Sequence, residues 1–172
     1  MLPAKIKKIF LSVCFLLIVN CVNAAEKIAP DFTAKTLAGK PYNLYNNLAS
    51  EVLTPTDNKL VIISFWGLMC VPCKQKMDFL KKLTKKYPDK LEVLCISIDP
   101  AKAHSKIKKF VRRKRYGFTF LVDSESKIFD LYGGEFVPYT VVVNQKKEII
   151  YAGSGHSKAK AKGLEDVVRV HF

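Results

Sequence analysis

Cysteine is sparse here, and the patterns that would make it structural are sparser. Of five cysteines, Cys14 and Cys21 fall within the first 24 residues, which leaves Cys70, Cys73 and Cys95. Three is an odd number, which argues against a multi-disulfide scaffold. Cys70 and Cys73 have no second Cys-x-x-Cys to partner them, and His104, His156 and His171 follow no ligand spacing. A zinc site would lack its four ligands, the histidines read as surface residues, and no metal or cofactor is expected. There is no internal repeat, low-complexity tract or linker. Residues 9–19 (IFLSVCFLLIV) form an apolar run of only 11, short of the roughly 20 that span a bilayer. Acids are scarce as well, 15 against 29 Lys and Arg, for a formal net charge of +14.

What is present begins with an export pattern. Residues 1–8 carry three lysines and no acid, the apolar run follows, and Val22 and Ala24 put small residues before a cut after Ala24. These are the parts of a secretory signal peptide, so residues 1–24 are read as a signal and 25–172 as one domain. A retained N-terminal anchor, or a lipoprotein at Cys21, is the alternative. Export to the periplasm removes the chain from nucleic acid, and its basic balance then suits a solvated lysine-rich surface or anionic headgroups and acidic partners.

Residues 25–58 are punctuated by Pro30, Gly39, Pro41, Asn46, Asn47 and Pro55 and read as a short hairpin plus loop capping the domain. Residues 60–66 (LVIISFW) have the β-branched and aromatic density of a strand buried on both faces. After Cys73 the spacing of Met77, Leu80, Leu83 and Tyr87 is helical, and Pro88 closes it. Residues 91–98 read as a second buried strand, 101–116 as a helix, 118–122 as a third strand, 139–144 and 148–152 as an antiparallel pair, and 163–170 as a closing helix. Strand, helix, strand, helix, strand implies parallel crossovers, hence an α/β fold with a mixed central sheet and helices on both faces. The basic stretch from Lys106 to Arg115 leaves one helical face apolar and reads as a solvated face, or as a dock for anionic lipid or an acidic partner.

Cys70 and Cys73 stand at a strand-to-helix junction, where they can close a small disulfide ring. Cys70 would sit at the helix N-terminus, where unpaired N–H groups and the helix dipole favour a thiolate. Pro72 suits the first turn. Lys74 and Lys76 add positive charge, with Lys76 expected to point to water. Cys73, one turn in, would be shielded and would resolve the mixed disulfide that Cys70 forms. A structural disulfide over so short a loop would restrain the unfolded chain little. Cys95, inside an apolar strand, reads as a core residue.

Phe65-Trp66-Gly67-Leu68-Met69-Cys70-Val71-Pro72-Cys73 resembles the active-site segment of bacterial thioredoxin-like proteins of the TlpA/ResA type. Ala29-Pro30-Asp31-Phe32, the strand ending at Asp99, and Val137-Pro138 before a β run are similar to the same family. The resemblance implies a thioredoxin-like fold with an added N-terminal hairpin, facing the periplasm. It implies dithiol–disulfide exchange with protein thiols and disulfides, commonly as a reductant in cytochrome c or oxidase assembly and fed by a membrane electron donor. It makes Cys70 the nucleophile, Cys73 the resolving cysteine, Cys70–Cys73 the redox-active disulfide and Pro138 a cis-proline. Val137 and Trp66 are then substrate-binding, with the Val137 backbone pairing to an extended segment.

The departures from the family pattern are Met69 for an aromatic, Lys76 for a glutamate, Asp78 for a helix-kinking proline, and Ser64 for a buried aspartate. Asp78 and Glu135 are the substitutes at hand for the missing carboxylates. Direction of electron flow stays open between reductase and oxidase or isomerase. Peroxiredoxin chemistry needs a threonine where Gly67 stands. A non-enzymatic copper(I) carrier using the same two thiolates is the alternative of a different class.

Overall fold

The computed structural model describes residues 27–50 and 59–172. The expected signal segment lies outside these residues, as do Cys14, Cys21 and Pro55. The described strands are β1 (Thr33–Thr36), β2 (Pro41–Asn43), β3 (Leu60–Trp66), β4 (Leu91–Ser97), β5 (Thr119–Val122), β6 (Tyr139–Val143) and β7 (Ile149–Ser154). The helices are α1 (Leu44–Ser50), α2 (Val71–Lys86), α3 (His104–Lys114), α4 (Lys127–Leu131) and α5 (Lys158–Val170), with a 3-10 turn at Ala101–Ala103 before α3.

All seven strands form one sheet in the order β2-β1-β5-β4-β3-β6-β7. The centre is parallel: β3 pairs with β4, and β4 with β5. The rest is antiparallel, with β6 on β3, β7 on β6 and β1 on β5. This is the expected mixed α/β architecture. Both faces of β3 are covered. Val61, Ile63 and Phe65 enter one core with residues of α1 and α4. Leu60, Ile62 and Trp66 enter the other, with residues of α2, α3 and α5. Alternation along a strand sends successive side chains to opposite faces, so an unbroken apolar run is what a doubly covered strand requires.

Four details differ from the expectation. The N-terminal hairpin does not cap the domain; it extends the sheet, with Lys35 opposite Val122 and Thr36 opposite Leu121. The basic helix stops at Lys114, because Arg115 turns left-handed (φ 49°). The closing helix starts earlier, at Lys158, where the Ser157 hydroxyl accepts the Lys160 N–H at 3.2 Å. Helix α4 was unanticipated. It spans five residues and is held by the buried Asp123 carboxylate, which accepts the N–H groups of Ile128 and Phe129 at 3.0 and 2.9 Å. None of the described helices is long and apolar enough to cross a membrane.

Candidate active site

Strand β3 ends at Trp66, and the chain turns through Gly67, Leu68 and Met69 into α2. The turn is pinned from the neighbouring strand: the Leu68 N–H donates to Asp99 Oδ2 at 2.8 Å, and the Ser97 hydroxyl donates to the same oxygen at 2.7 Å. Cys70 is then the N-cap residue of α2, and Pro72 lies in the first turn, where its missing N–H leaves nothing unpaired. Cys70 and Cys73 are joined as a disulfide with their Cα atoms 5.2 Å apart. Cys70 is half-buried and Cys73 is 1% exposed. The Cys73 N–H donates to Cys70 Sγ at 3.1 Å, so the outer sulfur rests on the unpaired amides of the helix start.

Across from it, the Val137–Pro138 peptide bond is cis, and the Val137 carbonyl oxygen lies 3.9 Å from Cys70 Sγ. Val137 is half-buried and Pro138 buried. The fold thus brings Cys70, Cys73, Val137 and Pro138 together at one end of the sheet, where β3 finishes beside the start of its antiparallel neighbour β6. Hydrogen bonds brace the turn from below. Tyr139 donates to the Tyr132 carbonyl at 3.0 Å, and Tyr132 to the Pro30 carbonyl at 2.7 Å. Met69, Val71 and Phe136, the immediate neighbours of Cys70 and Val137, are exposed apolar side chains.

Trp66 does not join this surface. Its indole is fully buried between Phe110 and Phe120, so it supports the site from the core and presents nothing to a partner. Cys95 is buried and free, and burial pushes its thiol pKa up, which keeps it protonated. Asp78 points away from the pair and accepts the Tyr116 hydroxyl at 3.0 Å. Glu135 is exposed. The histidines are not free surface residues: His104 bonds Ser124, His171 bonds the Val167 carbonyl, and His156 is half-buried. Among the described residues, no three His, Cys, Asp or Glu side chains gather as metal ligands would.

Lys76 overturns its expectation most clearly. It does not reach water. The residue is fully buried in the α2 stripe of Cys73, Lys76, Met77, Leu80 and Leu83, and its Nζ has no hydrogen-bond partner among the described residues. Burial first, and then the charge of Lys160, push its pKa from 10.5 to about 8. Burial and the nearby Lys76 charge together hold the His156 imidazole below its usual value.

Fold and pair together define a thioredoxin-like thiol–disulfide oxidoreductase. The chain belongs to the AhpC/TSA family, whose profile matches residues 25–152. It is similar to the thioredoxin-like protein YneN of Bacillus subtilis, 30% identical over 140 residues that cover 80% of this chain and 76% of that one. It is also similar to the thiol-disulfide oxidoreductase ResA of Halalkalibacterium halodurans, 28% identical over 103 residues covering 60% of this chain and 58% of that relative. Among solved structures, a protein from Chlorobium tepidum assigned as the thiol:disulfide interchange protein DsbE superposes with a TM-score of 0.72 at 20% identity. That match covers 85% of this chain and 96% of the other.

Proposed function

We propose that Cys70 is the nucleophile and Cys73 the resolving cysteine of an exported reductase of protein disulfides. The Cys70 thiolate attacks a partner disulfide, forming a mixed disulfide and releasing one partner thiolate. Cys73 then attacks Cys70 Sγ, closing the Cys70–Cys73 bond as the second partner sulfur leaves with the electron pair. A dithiol donor at the membrane resets the pair by the reverse exchange. The observation that carries this reading is the asymmetry of the pair: a half-exposed sulfur at a helix N-terminus bonded to a buried one.

The Val137 backbone, 3.9 Å from Cys70 Sγ, would receive an extended partner segment, with Met69, Val71 and Phe136 as its apolar surroundings. Work outside the cytoplasm, after removal of residues 1–24, and a place in cytochrome c or oxidase assembly belong to the same reading. The exposed cations of α3, among them Lys106, Lys109 and Arg113, would hold the protein near anionic headgroups.

The test is to reduce the protein, measure insulin-disulfide reduction, and trap partners on a Cys73→Ser variant in the native host. Trapped extracytoplasmic proteins with paired cysteines support the reading. Absence of insulin reduction, with tight copper(I) binding by the reduced pair, would replace it with the carrier reading.

A further inference from the structure

A lysine that is fully buried with no partner for its ammonium is costly, because the charged form loses its hydration and gains nothing in return. Lys76 is in that position. It lies one turn after Cys73 on the same buried stripe of α2. Residues three apart on a helix are neighbours on its surface, and long helical side chains lean back toward the N-terminal turn, here the turn that carries Cys73. Among the described residues, the surroundings offer no compensating acid. From the loop before α5 comes His156, and from α5 comes Lys160, whose ammonium donates to the Ser154 carbonyl at 2.5 Å. The side chains of Ser64 on β3 and Thr140 on β6 lie on the α2 side of the sheet and are neutral. The carboxylates that α2 and α5 carry are engaged elsewhere: Asp78 with Tyr116, Glu165 with Lys86, and Asp166 with Lys162.

In the disulfide form, then, the site holds a cation with no counter-charge among the described residues. Reduction creates acidic thiols one helical turn away. We propose that Lys76 is the charge partner of Cys73 in the reduced protein, a positioning residue that acts through that sulfur and carries its proton during exchange. The proposal rests on Cys73 being the resolving cysteine. In the mixed disulfide, the Cys73 thiol passes its proton to the neutral Lys76 amine. The Cys73 thiolate attacks Cys70 Sγ, the Cys70–Cys73 bond forms, and the bond to the partner sulfur breaks with its electron pair on the partner. The proton on Lys76 then passes to that thiolate. A pKa near 8 keeps both forms of the amine accessible around neutrality. The same ammonium favours the reduced state, since its attraction to a thiolate exists only there.

The experiment uses the exported chain with Lys76→Met and, as a second neutral variant, Lys76→Gln. Equilibrated with glutathione at pH 7, each variant should hold the disulfide about tenfold more strongly than the unmutated protein, which for a two-electron couple is about 30 mV toward a more reducing potential. The rate of mixed-disulfide resolution should also lose the inflection that the lysine gives its pH profile. In the unmutated protein, lysine side-chain NMR should show Lys76 titrating at higher pH once the pair is reduced. A folded variant with unchanged glutathione equilibrium and pH profile overturns the proposal. So does an identical Lys76 titration in the oxidised and reduced proteins, which needs no variant. Failure of the unmutated pair to exchange with glutathione at all would instead sink the oxidoreductase reading itself.

Discussion

The sulfur of Cys70 is the acceptor for the backbone N–H of Cys73, at 3.1 Å, so one member of the pair caps the helix that buries the other. The cap hydrogen bond and the positive end of α2 both stabilise negative charge on Cys70, and neither reaches Cys73 in the same way.

In the reduced protein Cys70 should therefore be alkylated by iodoacetamide at least tenfold faster than Cys73 at neutral pH. Mass-spectrometric rates for the two cysteines decide the matter, and a faster Cys73 would reverse the assignment. Cys95 should stay unmodified until the protein unfolds, because it is buried and its thiol is held protonated.

The buried ammonium of Lys76 should appear in the stability of the oxidised protein. Its folded pKa is about 8 against an ordinary 10.5. Between these values the unfolded chain holds more protons, so stability rises with pH through that window. Below pH 8 the penalty is complete, on the order of 3 kcal/mol. Lys76→Met removes it. Denaturant melts should find the variant more stable than the unmutated protein at pH 7, with the gap closing as pH climbs toward 10.5. The difference between the two proteins is the quantity to follow, since burial raises the tyrosine pKa values in the folded state, Tyr132 among them, and the unfolded chain loses those protons first at the upper end in both. A gap that does not change with pH would mean the lysine is solvated after all.

Gly134 opens the loop that leads to Val137. A Cβ built there would stand 2.2 Å from the ring of Phe129, which is itself wedged against Phe65 and Tyr139. Gly134→Ala must displace either that ring or the loop. Overpacking of this kind costs about 1–3 kcal/mol. Insulin reduction should fall along with stability, because the loop sets the distance from Val137 to Cys70, whereas Gly163→Ala, inside α5 with open space at its Cβ, should leave insulin reduction unchanged and raise stability by about 0.5–1 kcal/mol. Unchanged melting and activity for Gly134→Ala would show that the loop yields freely.

The parallel core was legible because β3 and β4 are apolar on both faces, and the pair was legible because Cys70 and Pro72 suit the start of a helix. The turn before β6 showed itself in Val137-Pro138. The rest was hidden by distance and by residue type. Helix α4 has too few residues to display a period, and the carboxylate that organises it, Asp123, lies before the helix. The pairing of β1 with β5 joins segments some 85 residues apart, with no local mark of it in either. The burial of Lys76 is hidden by its residue type, since lysine ordinarily faces solvent. The signal was nonetheless present: its position falls on the apolar stripe between Cys73 and Met77.

The antiparallel seam between β3 and β6, where Phe65 faces Tyr139 and Val61 faces Val143, joins segments separated by the entire α2-to-α4 stretch. The helix start that carries Cys70 follows β3 directly in the chain and is pinned by Asp99 after β4, while the wall at Val137 requires the longer-range β3–β6 seam to close. A partly folded molecule would already display a reactive sulfur, with nothing opposite it to align an incoming strand. Whatever discrimination Val137 lends to disulfide exchange thus depends on the β3–β6 seam, and goes wherever these strands part.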